Sequence, residues 1–188
     1  MMRHLLITLT VVFGIFNSVY SQSYVQIGTG TESSSMPYTA WSYSWAKALY
    51  ASGSIGDPIT INKIGIEAGG TKSLDNQKIY FKTTSDTSLT GTFEDTASND
   101  YTLVYEGNVS VDNGWNMIPL DQPYDYNGTD KLVVYWINEH GSAAYASLLG
   151  TSTNKSVIKV KGSDAAFPEQ DGWDPYPVAL PNMRFYYE

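Results

Sequence analysis

From Gln22 onward the chain consists of short runs of β-branched and aromatic residues, each ending at glycine, asparagine, aspartate or proline. No long stretch repeats apolar residues at the three- and four-residue spacing of an amphipathic helix. Short runs separated by turn residues are typical of an all-β sandwich or barrel. The pattern predicts about nine or ten strands, enough for a two-sheet antiparallel β-sandwich, and a single domain over residues 22–188.

Alternation of apolar and polar residues places individual strands. Ile59–Ile61 and Ile64–Ile66 both alternate, but the phase slips between them, which predicts a β-bulge at Asn62-Lys63. Leu132–Ile137 is apolar on both faces and predicts a central strand covered on each side. Trp45–Tyr50 has helical character, so a turn or two of helix is expected there. Further strands are predicted at Ile79–Lys82, Tyr101–Val109, Trp115–Ile118, Val157–Lys161 and Met183–Tyr187.

Residues 1–21 have the three-part layout of a secretory signal peptide. Arg3 gives a basic start, Leu5–Phe16 is a mainly apolar stretch, and Val19 and Ser21 stand at the −3 and −1 positions of a cleavage site. Twelve helical residues span about 18 Å, against a hydrocarbon core of about 30 Å, so a membrane anchor is disfavoured. We therefore expect a secreted protein (periplasmic, cell-surface or extracellular) with no transmembrane segment after signal cleavage.

Charge and residue content weigh against several classes of function. The net charge of −8 disfavours nucleic acid as a partner, because phosphates need a basic surface. The absence of cysteine excludes disulfides, thiolate metal sites and cysteine nucleophiles. After residue 21 the single histidine is His140, and neither a Gly-x-Ser-x-Gly nor a His-Glu-x-x-His motif is present. No run pairs carboxylates on one strand face as glycosidases require, so we expect no enzymatic activity.

Five segments together resemble a β-sandwich module of exported proteins from Bacteroidota-type bacteria. The similar segments are Ile27–Thr31, Tyr43–Tyr50, Ile59–Ile66, Tyr126–Val134 and Leu180–Phe185. In that family the module often precedes fibronectin-type or type IX sorting domains. The resemblance implies a jelly-roll-like fold and an extracellular or surface location, and it implies no common enzymatic activity.

Two aromatic-rich segments lie outside the clear strands. Sugars present C–H faces that stack on flat rings and hydroxyls that form hydrogen bonds with polar side chains. We therefore hypothesise that Trp41, Trp173 and Tyr176 form a glycan-contacting surface. Asp171 and Asp174 would accept hydrogen bonds from the ligand. The alternative interpretation is that these rings pin long loops onto the ends of the sandwich.

A structural calcium ion is a second possibility for the loops, because calcium takes six to eight oxygen ligands. No EF-hand spacing is present. One set dense enough to supply several oxygen ligands is Asp121, Asp125, Asn127 and Asp130, and another such set is Asp164, Glu169, Asp171 and Asp174.

The leading interpretation is a non-catalytic, exported binding or adhesion module that contacts a glycan or a surface protein through its end loops. A second interpretation is a structural subunit of a surface assembly, in which edge strands and aromatic loops meet other subunits. The third is an enzyme acting on polysaccharide, with carboxylates that only the fold brings together.

Overall fold

The computed structural model describes residues 22–176 and 178–187, and the predicted signal peptide lies outside these residues. The strands are β1 (Ser23–Ile27), β2 (Glu32–Ser34), β3 (Tyr43–Tyr50), β4 (Ile59–Ala68), β5 (Lys72–Thr84), β6 (Thr102–Val111), β7 (Gly114–Tyr126), β8 (Lys131–Asn138), β9 (Leu148–Ser152), β10 (Ile158–Ser163), β11 (Ala179–Pro181) and β12 (Met183–Tyr187). One helical turn, α1, covers Ser52–Ile55, and a 3₁₀ turn covers Lys155–Val157. Within the described ranges no helix has the length and apolar character needed to cross a bilayer.

The strands form two antiparallel sheets that pack face to face. In the first sheet β1, β12, β4 and β7 lie side by side, extended by the short β2, β9 and β11. In the second sheet the order is β10-β3-β8-β5-β6. Eight strands remain when β10 and the short strands β2, β9 and β11 are set aside. Numbered one to eight in chain order, they lie side by side as 1-8-3-6 in the first sheet and as 2-7-4-5 in the second. This is the strand order of a jelly roll, so the predicted jelly-roll-like β-sandwich is confirmed.

Aromatic side chains from both sheets meet in the main core. Tyr50 of β3 and Phe81 of β5 contact Phe185 of β12 edge to face, with ring centroids 5.5 and 6.2 Å apart. The indole N–H of Trp136 donates to Gln77 Oε1 at 2.8 Å, so these buried polar atoms are paired. Burial of such large rings is the main stabilising contribution expected for a sandwich of this size.

The bulge predicted in β4 is confirmed. The pairing of β4 with β7 shifts between Ile61 and Lys63. Ile61, Ile64 and Ile66 are all buried in the main core. Without the extra residue, the side chains on one side of the slip would point outward. The bulge therefore returns the apolar side chains to the inner face.

The expected helix at Trp45–Tyr50 is wrong, because these residues form most of β3. This strand pairs with β8 on one side and β10 on the other. Both of its faces are covered, so the inward-facing Ala46 and the outward-facing Lys47 are equally buried. The strand consequently lacks the alternation of polarity that marks a strand with one face in water. The helical turn comes later, at Ser52–Ile55.

The central strand predicted at Leu132–Ile137 is confirmed. It forms most of β8, which lies between β3 and β5. Trp136 points into the main core, whereas Tyr135 points outward into a second cluster. Phe93 of the β5–β6 loop (residues 85–101) and Phe167 of the β10–β11 loop (residues 164–178) complete this second cluster. These two loops therefore cover the outer face of the second sheet.

Candidate functional site

Three aromatic side chains, those of Tyr38, Tyr145 and Tyr176, line a shallow pocket of about 220 Å³ at one edge of the sandwich, and Trp173 lies next to Tyr38. Tyr176 is 96% exposed, Tyr145 is 70% exposed and Trp173 is 42% exposed. Tyr38 lines the pocket, and its ring lies edge to face with Trp173 at a centroid distance of 6.5 Å. We call these four residues the aromatic edge. Exposed rings gathered around one concavity are the usual make-up of a binding surface.

The backbone holds Tyr145 in its exposed position. Its φ of +51° lies in the left-handed region, which residues with a side chain rarely adopt. The carbonyl oxygen of Thr39 accepts hydrogen bonds from the N–H groups of Ala144 (2.9 Å) and Tyr145 (3.0 Å). The hydroxyl oxygen of Thr39 accepts a third from the N–H of Ala146 at 2.8 Å. The exposed ring therefore stands on a fixed, strained backbone, and such strain is concentrated at functional sites.

Strand pairing fixes Trp173 at the free edge of β10. Its backbone N–H donates to the carbonyl of Val160 at 2.9 Å and its carbonyl accepts from the Val160 N–H at 3.0 Å. The ammonium of Lys161 lies 4.9 Å from the centroid of the indole ring. The position of Trp173 is consequently set before any ligand arrives, with a cation held on the ring by cation–π attraction.

The structure brings together some of the residues predicted to bind a glycan and assigns internal contacts to the others. Trp173 and Tyr176 both belong to the aromatic edge. Trp41 instead packs on β10, where any side chain at Gly162 would collide with its ring. Asp171 accepts a hydrogen bond from the N–H of Phe93 at 3.0 Å and so anchors the β5–β6 loop. Asp174 forms an ion pair with Lys159.

Sequence reasoning missed Tyr145. The tyrosine stands alone among small residues in the segment Ser142–Ser147. A large ring in a run of alanine and serine has no large neighbours in sequence against which to pack. This isolation is the sequence signal that indicates an exposed side chain.

The predicted calcium ligands near β7 make hydrogen bonds within the fold. Asp121 accepts from a backbone N–H of β6 at 2.8 Å, and Asp125 accepts from the hydroxyl of Thr60 at 2.7 Å. Asn127 accepts from the N–H of Asp130 at 3.0 Å and closes the turn after β7. In the part of the chain that the structure describes, no three His, Asp or Glu side chains are grouped to hold a metal ion. Calcium stays a prediction from the sequence.

A second group of polar side chains lies on the outer face of the second sheet. The ammonium of Lys47, whose side chain is 1% exposed, donates to Glu94 Oε2 at 2.6 Å and to the carbonyl of Thr92 at 2.8 Å. The hydroxyl of Tyr101 donates to the same carboxylate oxygen at 2.9 Å. The ammonium of Lys82 lies 3.9 Å from Glu94 Oε1. Two strands and one loop thus converge on a single carboxylate.

The pairing of Lys47 with Glu94 affects the pKa of both side chains. Burial lowers the pKa of Lys47, and the hydrogen bond and charge of Glu94 only partly offset that effect. Burial acts to raise the pKa of Glu94, but the hydrogen bond and charge of Lys47, assisted by Tyr101 and Lys82, hold that pKa below its usual range. Glu94 is therefore ionised at neutral pH, and its carboxylate acts as a hydrogen-bond acceptor.

Comparison with known proteins assigns no family. No protein-family model matches the chain, and no curated protein matches it significantly. The resemblance to exported Bacteroidota-type modules stays a prediction from the sequence, and function has to be inferred from the geometry of the residues described above.

Proposed function

We propose that the protein is an exported, non-catalytic binding module that contacts a glycan through the aromatic edge. The observation that carries this proposal is the exposure of Tyr145 and Tyr176 beside a fixed Trp173. A ring that stays in water adds little to the stability of the fold, because hydrophobic stabilisation grows with the area removed from water. The exposed area of these rings is instead available to a ligand.

The lining of the pocket supports a neutral, hydroxyl-rich ligand. Among the described residues that line it, none carries a charge. The hydroxyls of Ser33, Ser35 and Ser147 line it together with the rings of Tyr145 and Tyr176. Rings stack on the C–H face of a sugar, and hydroxyls exchange hydrogen bonds with its alcohol groups. On a chain of net charge −8, an uncharged pocket of this kind favours a neutral glycan over an ionic partner.

Export is the part of the proposal that depends on residues 1–21. N-terminal sequencing of the protein recovered from its native source tests it, and a mature chain that begins at Gln22 is the expected result. A mature chain that retains residues 1–21 would contradict export by signal cleavage.

Glycan binding is tested with an array of neutral and acidic oligosaccharides, followed by titration of each hit. We expect Tyr145→Ala and Tyr176→Ala each to weaken binding about five- to tenfold, because each removes one stacking ring. Tyr24→Ala is the matched control, since Tyr24 is also exposed but lies on β1, where it packs against Tyr186. The proposal fails if no glycan binds, or if both edge variants bind as tightly as the native chain.

The outer face of the first sheet favours a second candidate function, that of a subunit in a surface assembly. Met117 is 60% exposed and Tyr24 is 46% exposed on this face. Arg184 lies between aromatic rings, 4.6 Å from the centroid of Tyr24 and 3.9 Å from that of Trp115. Light scattering after size-exclusion chromatography tests this candidate: a dimer or larger species that Met117→Glu dissociates supports it, and a monomer at all concentrations contradicts it.

A further inference from the structure

We propose a second ligand site, separate from the aromatic edge, in the polar pocket between Lys82 and the Lys47–Glu94 pair. The geometry points to one neutral polyhydroxylated ring, such as a single sugar residue, as its ligand. The pocket has a volume of about 230 Å³ and lies between the outer face of the second sheet and the β5–β6 loop. Among the described residues it shares none of its lining with the pocket of the aromatic edge.

The walls of this polar pocket are held in place by contacts outside it. The N–H of Leu89 donates to the carbonyl of Ser156 at 2.7 Å, and the N–H of Gly172 donates to the carbonyl of Gly91 at 2.7 Å. The β5–β6 loop is thus attached to two other parts of the chain along the length that forms the wall. A pocket that is formed in advance loses less conformational entropy when a ligand binds.

Several polar groups at the pocket retain hydrogen-bonding capacity. Lys47 uses two of the three protons of its ammonium. Lys82 lies 3.9 Å from Glu94 Oε1 and 5.1 Å from the centroid of the Tyr101 ring, but it makes no hydrogen bond to the described residues. The hydroxyls of Thr87, Ser88 and Thr90 also make no hydrogen bond to the described part of the protein. The pocket therefore offers both ammonium and hydroxyl donors to a ligand.

The buried ion pair leaves one oxygen of Glu94 free to accept. Lys47 and Tyr101 both donate to Oε2, whereas among the described residues Oε1 has only the Lys82 ammonium near it, at 3.9 Å. A buried ion pair is weak evidence for a stabilising role, because apolar side chains of similar volume often serve as well. Here the pair fixes the carboxylate so that Oε1 remains an acceptor at the pocket.

Behind the pocket wall lies Tyr135, whose side chain is fully buried and does not itself line the pocket. Its hydroxyl has no hydrogen-bond partner among the described residues. Its ring packs against Tyr101 of the pocket wall, with centroids 5.2 Å apart. Burial, and then the charge of Glu94, raises the pKa of this hydroxyl, so it keeps its proton at neutral pH. A buried donor without a partner is rare in proteins. This one lies behind the wall, so the proposal depends on the groups that line the pocket and not on Tyr135.

Charge balance identifies the class of ligand. Among the described lining residues, the charges of Lys47 and Lys82 are matched by those of Glu94 and Asp86, so these residues together carry no net charge that would attract an anion or a cation. Each alcohol group of a sugar both donates and accepts, which suits a wall of alternating ammonium, carboxylate and hydroxyl groups. Leu89, which is partly exposed, and the buried Val133 are the apolar residues of the described lining. A neutral polyol therefore fits this chemistry better than an ion does.

Titration with methyl α-D-glucoside, methyl α-D-galactoside and methyl α-D-mannoside tests the proposal, by saturation-transfer NMR and calorimetry. We expect at least one of them to bind the native chain and to shift the amide signals of residues 84–90. Lys82→Met and Asp86→Asn are each expected to weaken binding about tenfold, the effect of removing one hydrogen bond to a charged group. Lys72→Met is the matched control, since Lys72 lies on the same strand but is exposed outside the pocket.

The outcomes separate this site from the aromatic edge. If Tyr145→Ala leaves glycoside binding unchanged and Lys82→Met weakens it, the result supports the polar pocket. This holds whether or not the glycan array finds a ligand for the aromatic edge. The proposal is overturned if no glycoside binds, if binding is lost in Tyr145→Ala but kept in Lys82→Met, or if acetate or glycine binds the pocket in place of the glycosides. The amide shifts in the native chain decide the matter even if a variant fails to fold.

Discussion

The outer faces of the two sheets differ in what covers them. On the first sheet Tyr24 and Met117 are exposed to solvent. On the second sheet Trp45 and Tyr135 are fully buried beneath the β5–β6 and β10–β11 loops, which contribute Phe93 and other apolar side chains. The same pleated geometry thus produces a second core on one side and an open surface on the other. The difference shows that loops, and not strands alone, decide which sheet face can form pockets.

Replacing one aromatic residue by alanine on the outer face of each sheet is expected to give the largest difference in the free energy of unfolding. Trp45→Ala should lower the free energy of unfolding by about 3–5 kcal/mol, because it leaves a cavity in the second cluster. Tyr24→Ala should lower it by less than about 1 kcal/mol, because that ring is already half exposed. Urea unfolding followed by fluorescence measures both. Equal losses for the two variants would show that the two faces are not differently buried.

Removing one charge from each of two ion pairs compares a covered site with an open one, both on the second sheet. Glu94→Gln is expected to lower the free energy of unfolding by about 2 kcal/mol, because it leaves the buried ammonium of Lys47 without its counter-ion. Glu139→Gln breaks the pair with Lys78, in which both side chains are about one-third exposed, and should cost under about 1 kcal/mol. Thermal unfolding of the two variants measures the difference. A larger loss for Glu139→Gln would contradict the buried character of the Lys47–Glu94 pair.

Acid should remove part of the stability that Glu94 provides. The folded protein holds the pKa of Glu94 below its usual value of 4.5, so the contribution of this group is present above 4.5 and is lost as pH falls through the lower folded pKa. The difference in midpoint temperature between the native chain and Glu94→Gln is therefore expected to shrink between pH 6 and pH 3, a range chosen to bracket the usual value. A difference that stays constant over this range would show that Glu94 is not the titrating group.

Sequence patterns predicted correctly those features of the fold that are encoded by neighbouring residues within a single strand. The slip at Asn62-Lys63 and the apolar run of β8 are properties of neighbouring residues, and both were predicted correctly. Trp45–Tyr50 was assigned wrongly because its outer face is covered by Phe93 and Phe167, which are distant in sequence. A pattern of period two disappears when tertiary contacts bury both faces of a strand.

The candidate sites were less predictable for the same reason. Trp173 and Tyr176 were found from composition, but Tyr145 is supported by Thr39, and Lys47 is paired with Glu94 on a separate loop. These contacts join segments that lie far apart in the chain, and no local spacing encodes them. Sequence alone therefore located some aromatic residues of the edge and none of the polar pocket.

The smallest predicted change in stability is at Tyr145 of the aromatic edge, where a substitution is expected to weaken ligand binding without destabilising the fold. Tyr145 adopts a φ of +51°, which glycine accepts at no steric cost, and its exposed ring buries little area. Tyr145→Gly is therefore expected to leave the free energy of unfolding unchanged or to raise it by about 0.5–1 kcal/mol, while it weakens glycan binding. Tyr38→Gly is the comparison, because Tyr38 is only partly exposed, packs against Trp173 and should lose stability. A loss of stability in Tyr145→Gly would mean that the ring supports the fold, and the strained backbone beneath it would then have a structural explanation instead of a functional one.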